Sequence, residues 1–132
     1  MLPRRVTLFA MYWPAYILLA LLLVFLWTRR VGQIPVKAAA AYLKNGAMLI
    51  DVRSPSEFAS RHLPRAVNVP LSGIESALPR LVQDKHRVLL LHCQSGMRSG
   101  VATKTLTRSG YTQVFNVGSY SRAESTVKAS LA

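Results

Sequence analysis

The sequence predicts an α/β domain, a mostly parallel sheet with helices on both faces, preceded by one transmembrane helix. Three observations carry this expectation. An uncharged run, Val6 to Thr28, opens the chain and is long enough to cross a bilayer. In residues 29–132, four short apolar runs alternate with helix-patterned stretches, the order that builds a parallel sheet through helical crossovers. One of those runs, RVLLLH at Arg87 to His92, is apolar on both faces and reads as a central strand.

The opening run lies between Arg4-Arg5 and Arg29-Arg30. At a rise of about 1.5 Å per residue it exceeds the roughly 30 Å hydrocarbon layer. Tyr12, Trp13 and Tyr16 stand at one end and Phe25 and Trp27 at the other, where amphipathic rings settle among headgroups. Pro14 is tolerable there. A cleaved signal peptide would have a shorter apolar region leading directly to small residues. Here Thr28-Arg29-Arg30 follows, and the alanine cluster Ala38 to Ala41 comes later, so a retained anchor is expected. Arg29, Arg30, Lys37 and Lys44 outnumber Arg4 and Arg5 near the span. The positive-inside bias then puts the C-terminal domain in the cytoplasm, as a single-pass protein of a bacterial inner membrane. The expected organisation is a tail at 1–5, the span at 6–28, a juxtamembrane linker at 29–35 and a domain at 36–132.

Within the domain, the alanine-rich Val36 to Lys44 forms a helix stopped by Asn45-Gly46. Ala47 to Asp51 is the first strand. Ser54-Pro55-Ser56-Glu57 is a capping box with proline at the first helical position, starting a helix at Pro55. A strand at Ala66 to Val69 and a helix at Leu71 to Val82 precede the central strand. A helix at Ser99 to Ser109, closed by Gly110, then a strand at Gln113 to Val117 follow. The tail SYSRAESTVKASLA is expected to be only a weak, short helix.

One cysteine among 132 residues excludes an internal disulfide scaffold and zinc sites built on paired cysteines. The formal charge of +12 arises from scarce acids, 5 against 17 basic residues, and not from lysine tracts. Such an excess suits an anionic neighbour. The basic residues have no interleaved aromatics and no nucleic-acid motif, so no nucleic-acid partner is expected. Beside anionic lipid each basic residue gains about 1 kcal/mol, which makes membrane lipid the expected macroscopic partner.

The central strand runs directly into Cys93-Gln94-Ser95-Gly96-Met97-Arg98-Ser99, and a helix follows. Ligands of open parallel sheets sit at the carboxyl ends of strands. A thiol there faces loop amides and a helix N-terminus, which favour thiolate. Gly96 permits a turn that other residues resist, and Arg98 brings a forked cation suited to an oxyanion. His92 adjoins Cys93 but points to the opposite face of the strand, so a packed or hydrogen-bonded histidine is expected and not a Cys-His pair. His62 and His86 have no ligand spacing with Cys93, and no metal or cofactor is expected. Asp51, Arg53 and Glu57 more often hold a loop together than act as acids or anion binders.

The segments IDVRSPSEFASRHLPRAVNVPL, residues 50–71, and CQSGMRS, residues 93–99, together resemble the rhodanese (sulfurtransferase) domain. The resemblance implies a rhodanese-like fold in which Cys93 accepts a sulfane sulfur as a persulfide and passes it to a thiol or cyanide. It makes Gln94, Ser95, Gly96, Met97, Arg98 and Ser99 the substrate cradle, with Arg98 the anion-binding arginine. Asp51, Arg53, Glu57 and His62 become supporting, mainly architectural residues. Four residues separate Cys93 from Arg98, as in sulfur-transferring members, whereas related phosphatases have five; the shorter loop disfavours a phosphatase. The chain departs from the family at Arg61 and Arg65, where glycine is usual, and at Gly118-Ser119-Tyr120, where a second glycine and a tryptophan are usual. A left-handed backbone at either arginine would cost about 1 kcal/mol. The implied function is a membrane-anchored sulfurtransferase with a small anionic donor such as thiosulfate and a thiol acceptor, protein or small molecule. A non-catalytic binding module at the membrane and a persulfide or redox sensor are the rivals. The sensor would need an external thiol.

Overall fold

Parallel strands need crossover connections, and the helices between the strands supply them. The computed structural model describes residues 4–30 and 32–132. The first three residues of the expected tail and Val31 of the expected linker lie outside the described residues. The chain divides into two units, Met1–Val31 and Gly32–Ala132.

The first unit holds α1, Arg4–Arg30, which runs through Pro14 without a break. Its segment Met11–Thr28 is long and apolar enough to cross a membrane, with its side chains exposed.

The second unit contains α2 (Val36–Lys44), β1 (Met48–Asp51), α3 (Pro55–Ser60), β2 (Ala66–Asn68), α4 (Ile74–Leu81), β3 (Leu89–His92), α5 (Met97–Arg108), β4 (Val114–Gly118) and α6 (Tyr120–Leu131). The four strands form one parallel sheet in the order β2-β1-β3-β4. RVLLLH supplies the interior strand β3, as its two-sided apolarity predicts. Alternate residues divide the core between the faces. Leu89, Leu91 and Cys93 join Ile50, Val52, Ile74, Leu78, Ala102 and Leu106 on the α4 and α5 side. Leu90, Leu49 and Val117 join Ala39, Leu43, Tyr120, Ala123 and Val127 on the α2 and α6 side.

Three elements differ from expectation. The stretch expected as one helix at 71–82 begins as a 3-10 turn, Leu71–Gly73, before α4. Helix α5 starts two residues early, at Met97, because Gly96 turns the chain at φ 91°. The expected weak, short final helix is a helix of 12 residues, α6, which buries Tyr120, Ala123, Thr126 and Val127 at helical spacing. Its stability comes from that buried stripe and from the Ser119 cap, which accepts from the Arg122 N–H at 3.4 Å. Tertiary packing outweighs modest propensity here.

Of the two arginines that replace usual glycines, only one is strained. Arg61 has extended backbone at φ −163°, whereas Arg65 sits in the left-handed region at φ 67°. Arg65→Gly is expected to raise unfolding stability by about 1 kcal/mol, measured by urea denaturation of the full chain. An unchanged midpoint would show that the loop relaxes this strain elsewhere.

Candidate active site

Strand β3 delivers Cys93 to the carboxyl edge of the sheet, and its register against β4 shifts between Leu91 and His92, so that His92 stands opposite Gly118. The Cys93 N–H then donates to the Gly118 carbonyl at 3.2 Å. The chain doubles back at Gly96, and two backbone donors converge on the sulfur: Gly96 N–H at 3.0 Å and Ser99 N–H at 3.5 Å. Ser99 lies in the first turn of α5, where amides have no intrahelical acceptor. Ser99 Oγ lies 3.6 Å from Sγ. Burial alone would push the thiol up, but the Ser99 hydroxyl and the N–H groups of Ser99, Gly96 and Ser95 outweigh it, and the Cys93 pKa is lowered. A thiolate is the nucleophilic form of cysteine.

The Ser99 hydroxyl has one proton and several acceptors; its shortest bond, 2.7 Å, goes to Asn116 Oδ1. The same Oδ1 accepts the Gly118 N–H at 2.9 Å, and Asn116 Nδ2 donates to the Gly96 carbonyl at 3.3 Å. Asn116 therefore holds both sides of the cradle. Sequence reasoning missed it, although a polar residue inside the otherwise apolar QVFNV was a usable signal, since a buried amide must find partners.

Gln94, Ser95 and Met97 point outward, while Gly96 and Ser99 are buried. Arg98 is paired. Its Nη1 and Nη2 donate to Glu57 Oε2 at 2.7 Å and Oε1 at 3.0 Å. Glu57 also completes the expected capping box, accepting from the Ser54 N–H at 3.0 Å. Arg98 first, and Ser54 second, hold the Glu57 carboxyl well below the usual carboxylate range, and Glu57 raises the Arg98 guanidinium in turn. Both side chains are over a third exposed, so the pair adds little stability. What it does is orient the arginine across the wall of an open groove of about 320 Å³, lined by Val52, Ser54, Pro70, Leu71, Ser72 and Arg98. The link from Glu57 to Arg98, 41 residues apart in sequence, was not legible from either motif alone.

The other supporting residues sit behind the cradle or away from it. Asp51 and Arg53 form a buried ion pair, Nη2 to Oδ2 at 2.7 Å, and Arg53 Nη2 also donates to the Arg61 carbonyl. The Arg53 guanidinium lies 4.8 Å from the Tyr120 ring centroid, with Arg61 4.4 Å from the same centroid. His62 stacks on Phe58 and bonds its carbonyl at 2.9 Å, exposed at the surface. Among the described residues, no group of three His, Cys, Asp or Glu side chains could hold a metal.

His92 is fully buried and edge-on to Tyr120, and among the described residues neither ring nitrogen has a hydrogen-bond partner. Nε2 lies 3.8 Å from Asp51 Oδ2, too far for a hydrogen bond. Desolvation lowers its pKa despite the Asp51 charge, so the ring is neutral and packed. A depressed histidine pKa means that the unfolded chain binds the proton first. Stability is therefore expected to be full above the ordinary histidine value of about 6.5 and to fall as pH drops below it. Thermal unfolding of the full chain against pH checks this. His92→Phe should flatten the slope between pH 6.5 and 5, and an unchanged slope would refute the assignment to His92.

A model of the Rhodanese-like domain family matches residues 36–124. The thiosulfate sulfurtransferase PspE of Escherichia coli is 36% identical over 101 residues, covering 76% of this chain and 84% of that protein. Among solved structures, a rhodanese with anions from E. coli has a TM-score of 0.56 at 32% identity, covering 58% of this chain and 91% of that one. The human single-domain sulfurtransferase TSTD1 has a TM-score of 0.59 at 28% identity, covering 71% and 96%.

Proposed function

The chain belongs to the rhodanese-like domain family, and on that premise we propose that it carries sulfane sulfur on Cys93, moving it from a small anionic donor to a thiol or cyanide. The convergence of the Gly96 and Ser99 amides on Sγ carries this reading, because it supplies the thiolate that attack requires. With thiosulfate as donor, the Cys93 thiolate attacks the outer sulfur, the S–S bond breaks, and sulfite leaves with the bonding electron pair. The product is a Cys93 persulfide anion. An acceptor thiolate or cyanide then takes the terminal sulfur and regenerates the Cys93 thiolate, so one cysteine suffices. The cradle amides of residues 94–99 replace water around the terminal sulfur, and Arg98, held across the groove by Glu57, steadies the departing anion.

The wider organisation follows the same reading. Residues 6–28 anchor the chain in a bacterial inner membrane, 29–35 form the linker, and residues 36–132 make up the sulfur-transferring domain on the cytoplasmic side. The basic excess of the domain attracts anionic lipid and the anionic donor. Intact-mass spectrometry of the full chain after thiosulfate treatment should show one added sulfur, localised to Cys93 by peptide mapping. An unmodified Cys93 in folded protein would sink the proposal.

A further inference from the structure

Gln33 lies three residues before the stretch that the family model matches, which begins at Val36, yet its side chain reaches the sulfur cradle. Its backbone forms a parallel bridge to Asn116, and the next amide, Ile34 N–H, donates to the Asn116 carbonyl at 2.9 Å. That pairing aims the carboxamide at two glycines. A β-carbon on Gly96 would come within 3.1 Å of Gln33 Nε2, and one on Gly118 within 2.9 Å of Oε1. Both glycines have positive φ, 91° and 105°, and both act directly on the reactive residue. Gly96 gives its N–H to Sγ at 3.0 Å, and Gly118 accepts the Cys93 N–H at 3.2 Å. Asn116 and Ser99 hold these two backbones through polar bonds. The packed carboxamide of Gln33 supplies the steric side, and in a close-packed interior such a wedge fixes direction as well as volume.

We propose that Gln33 is a positioning residue of the cradle, locking Gly96 and Gly118 in the conformation that aims the Gly96 amide at the Cys93 sulfur. Without the wedge, the Gly96 peptide gains freedom to rotate its N–H away from Sγ. The sequence signal was absent because Gln33 sits in a segment that reads as linker, and only the pairing with Asn116 brings it to the site.

The inference rests on the reading of Cys93 as the reactive thiol, and it is testable without any sulfur donor. The pH profile of iodoacetamide alkylation of Cys93 in the full chain reports the thiol alone, so its outcome separates from success or failure of sulfur transfer. The readout is the midpoint, since easier access to a buried site changes the rate at every pH alike. Gln33→Ala is expected to move the midpoint up by about half to one pH unit, the size of one weakened hydrogen bond to a thiolate. Gln33→Met keeps the bulk and adds no charge, and so guards against a folding defect; its midpoint should stay close to that of the parent. A Gln33→Ala profile that superimposes on the parent overturns the proposal, even if thermal stability falls, because that result assigns Gln33 to packing alone, and a Gln33→Met midpoint raised as far as that of Gln33→Ala overturns the steric role.

Discussion

Cys93→Ser is expected to abolish sulfur loading from thiosulfate while leaving thermal unfolding close to that of the parent chain. The chemical half follows from acidity. A serine hydroxyl cannot reach its anion under conditions where the cradle lowers the Cys93 pKa, and an alkoxide has no persulfide chemistry. The stability half follows from satisfaction of donors. The Gly96 and Ser99 N–H groups that face Sγ still meet an acceptor oxygen, so no buried donor is orphaned. Both halves are read on the same preparation, by intact mass with sulfite release and by calorimetry. Full transfer by the serine variant would move the activity away from Cys93. Full cellular function of a serine variant that transfers no sulfur would instead favour the non-catalytic module over the sulfur carrier.

Arg53→Ala should be the most destabilising single change on the α2 and α6 side of the sheet, at about 3–5 kcal/mol. Asp51 is fully buried and Arg53 almost so. Truncation leaves the Asp51 carboxylate with the residue-53 N–H as a donor, at 2.9 Å, and beside a neutral His92 whose Nε2 is 3.8 Å away. It also frees the Arg61 carbonyl and one face of the Tyr120 ring. A whole domain has only about 5–15 kcal/mol in hand, so the variant should be close to its unfolding threshold at 37 °C. Urea denaturation of the full chain measures the loss. The double variant Asp51→Ala/Arg53→Ala should be more stable than Arg53→Ala alone, because it removes the stranded charge. A loss below 1 kcal/mol for Arg53→Ala would mean that water reaches Asp51 and the pair is not structurally needed.

Local patterns in the chain had the first say, wherever a few adjacent residues determine the outcome. The apolar run before Arg29, the two-sided apolarity of residues 89–91, the capping box at Ser54 and the glycine turn at Gly96 are all short-range facts, and each appears as its element. The thiol at a strand end beside a helix start was legible for the same reason. Final helix α6 was underread because its buried stripe has value only once α2 lies opposite.

Long-range partnerships lay beyond that reach. Arg98 with Glu57, Ser99 with Asn116, Gln33 with Gly96 and Gly118, and Arg53 with the Arg61 carbonyl each join residues that the fold alone makes neighbours. The sequence by itself determined which side chain could be the nucleophile and which strand would present it, because alternation and helix starts are properties of consecutive residues. Only the tertiary structure decided how that sulfur is held, because the parallel order β2-β1-β3-β4 sets β4 beside β3 and so brings Asn116, Gly118 and Gln33 to the loop that follows Cys93.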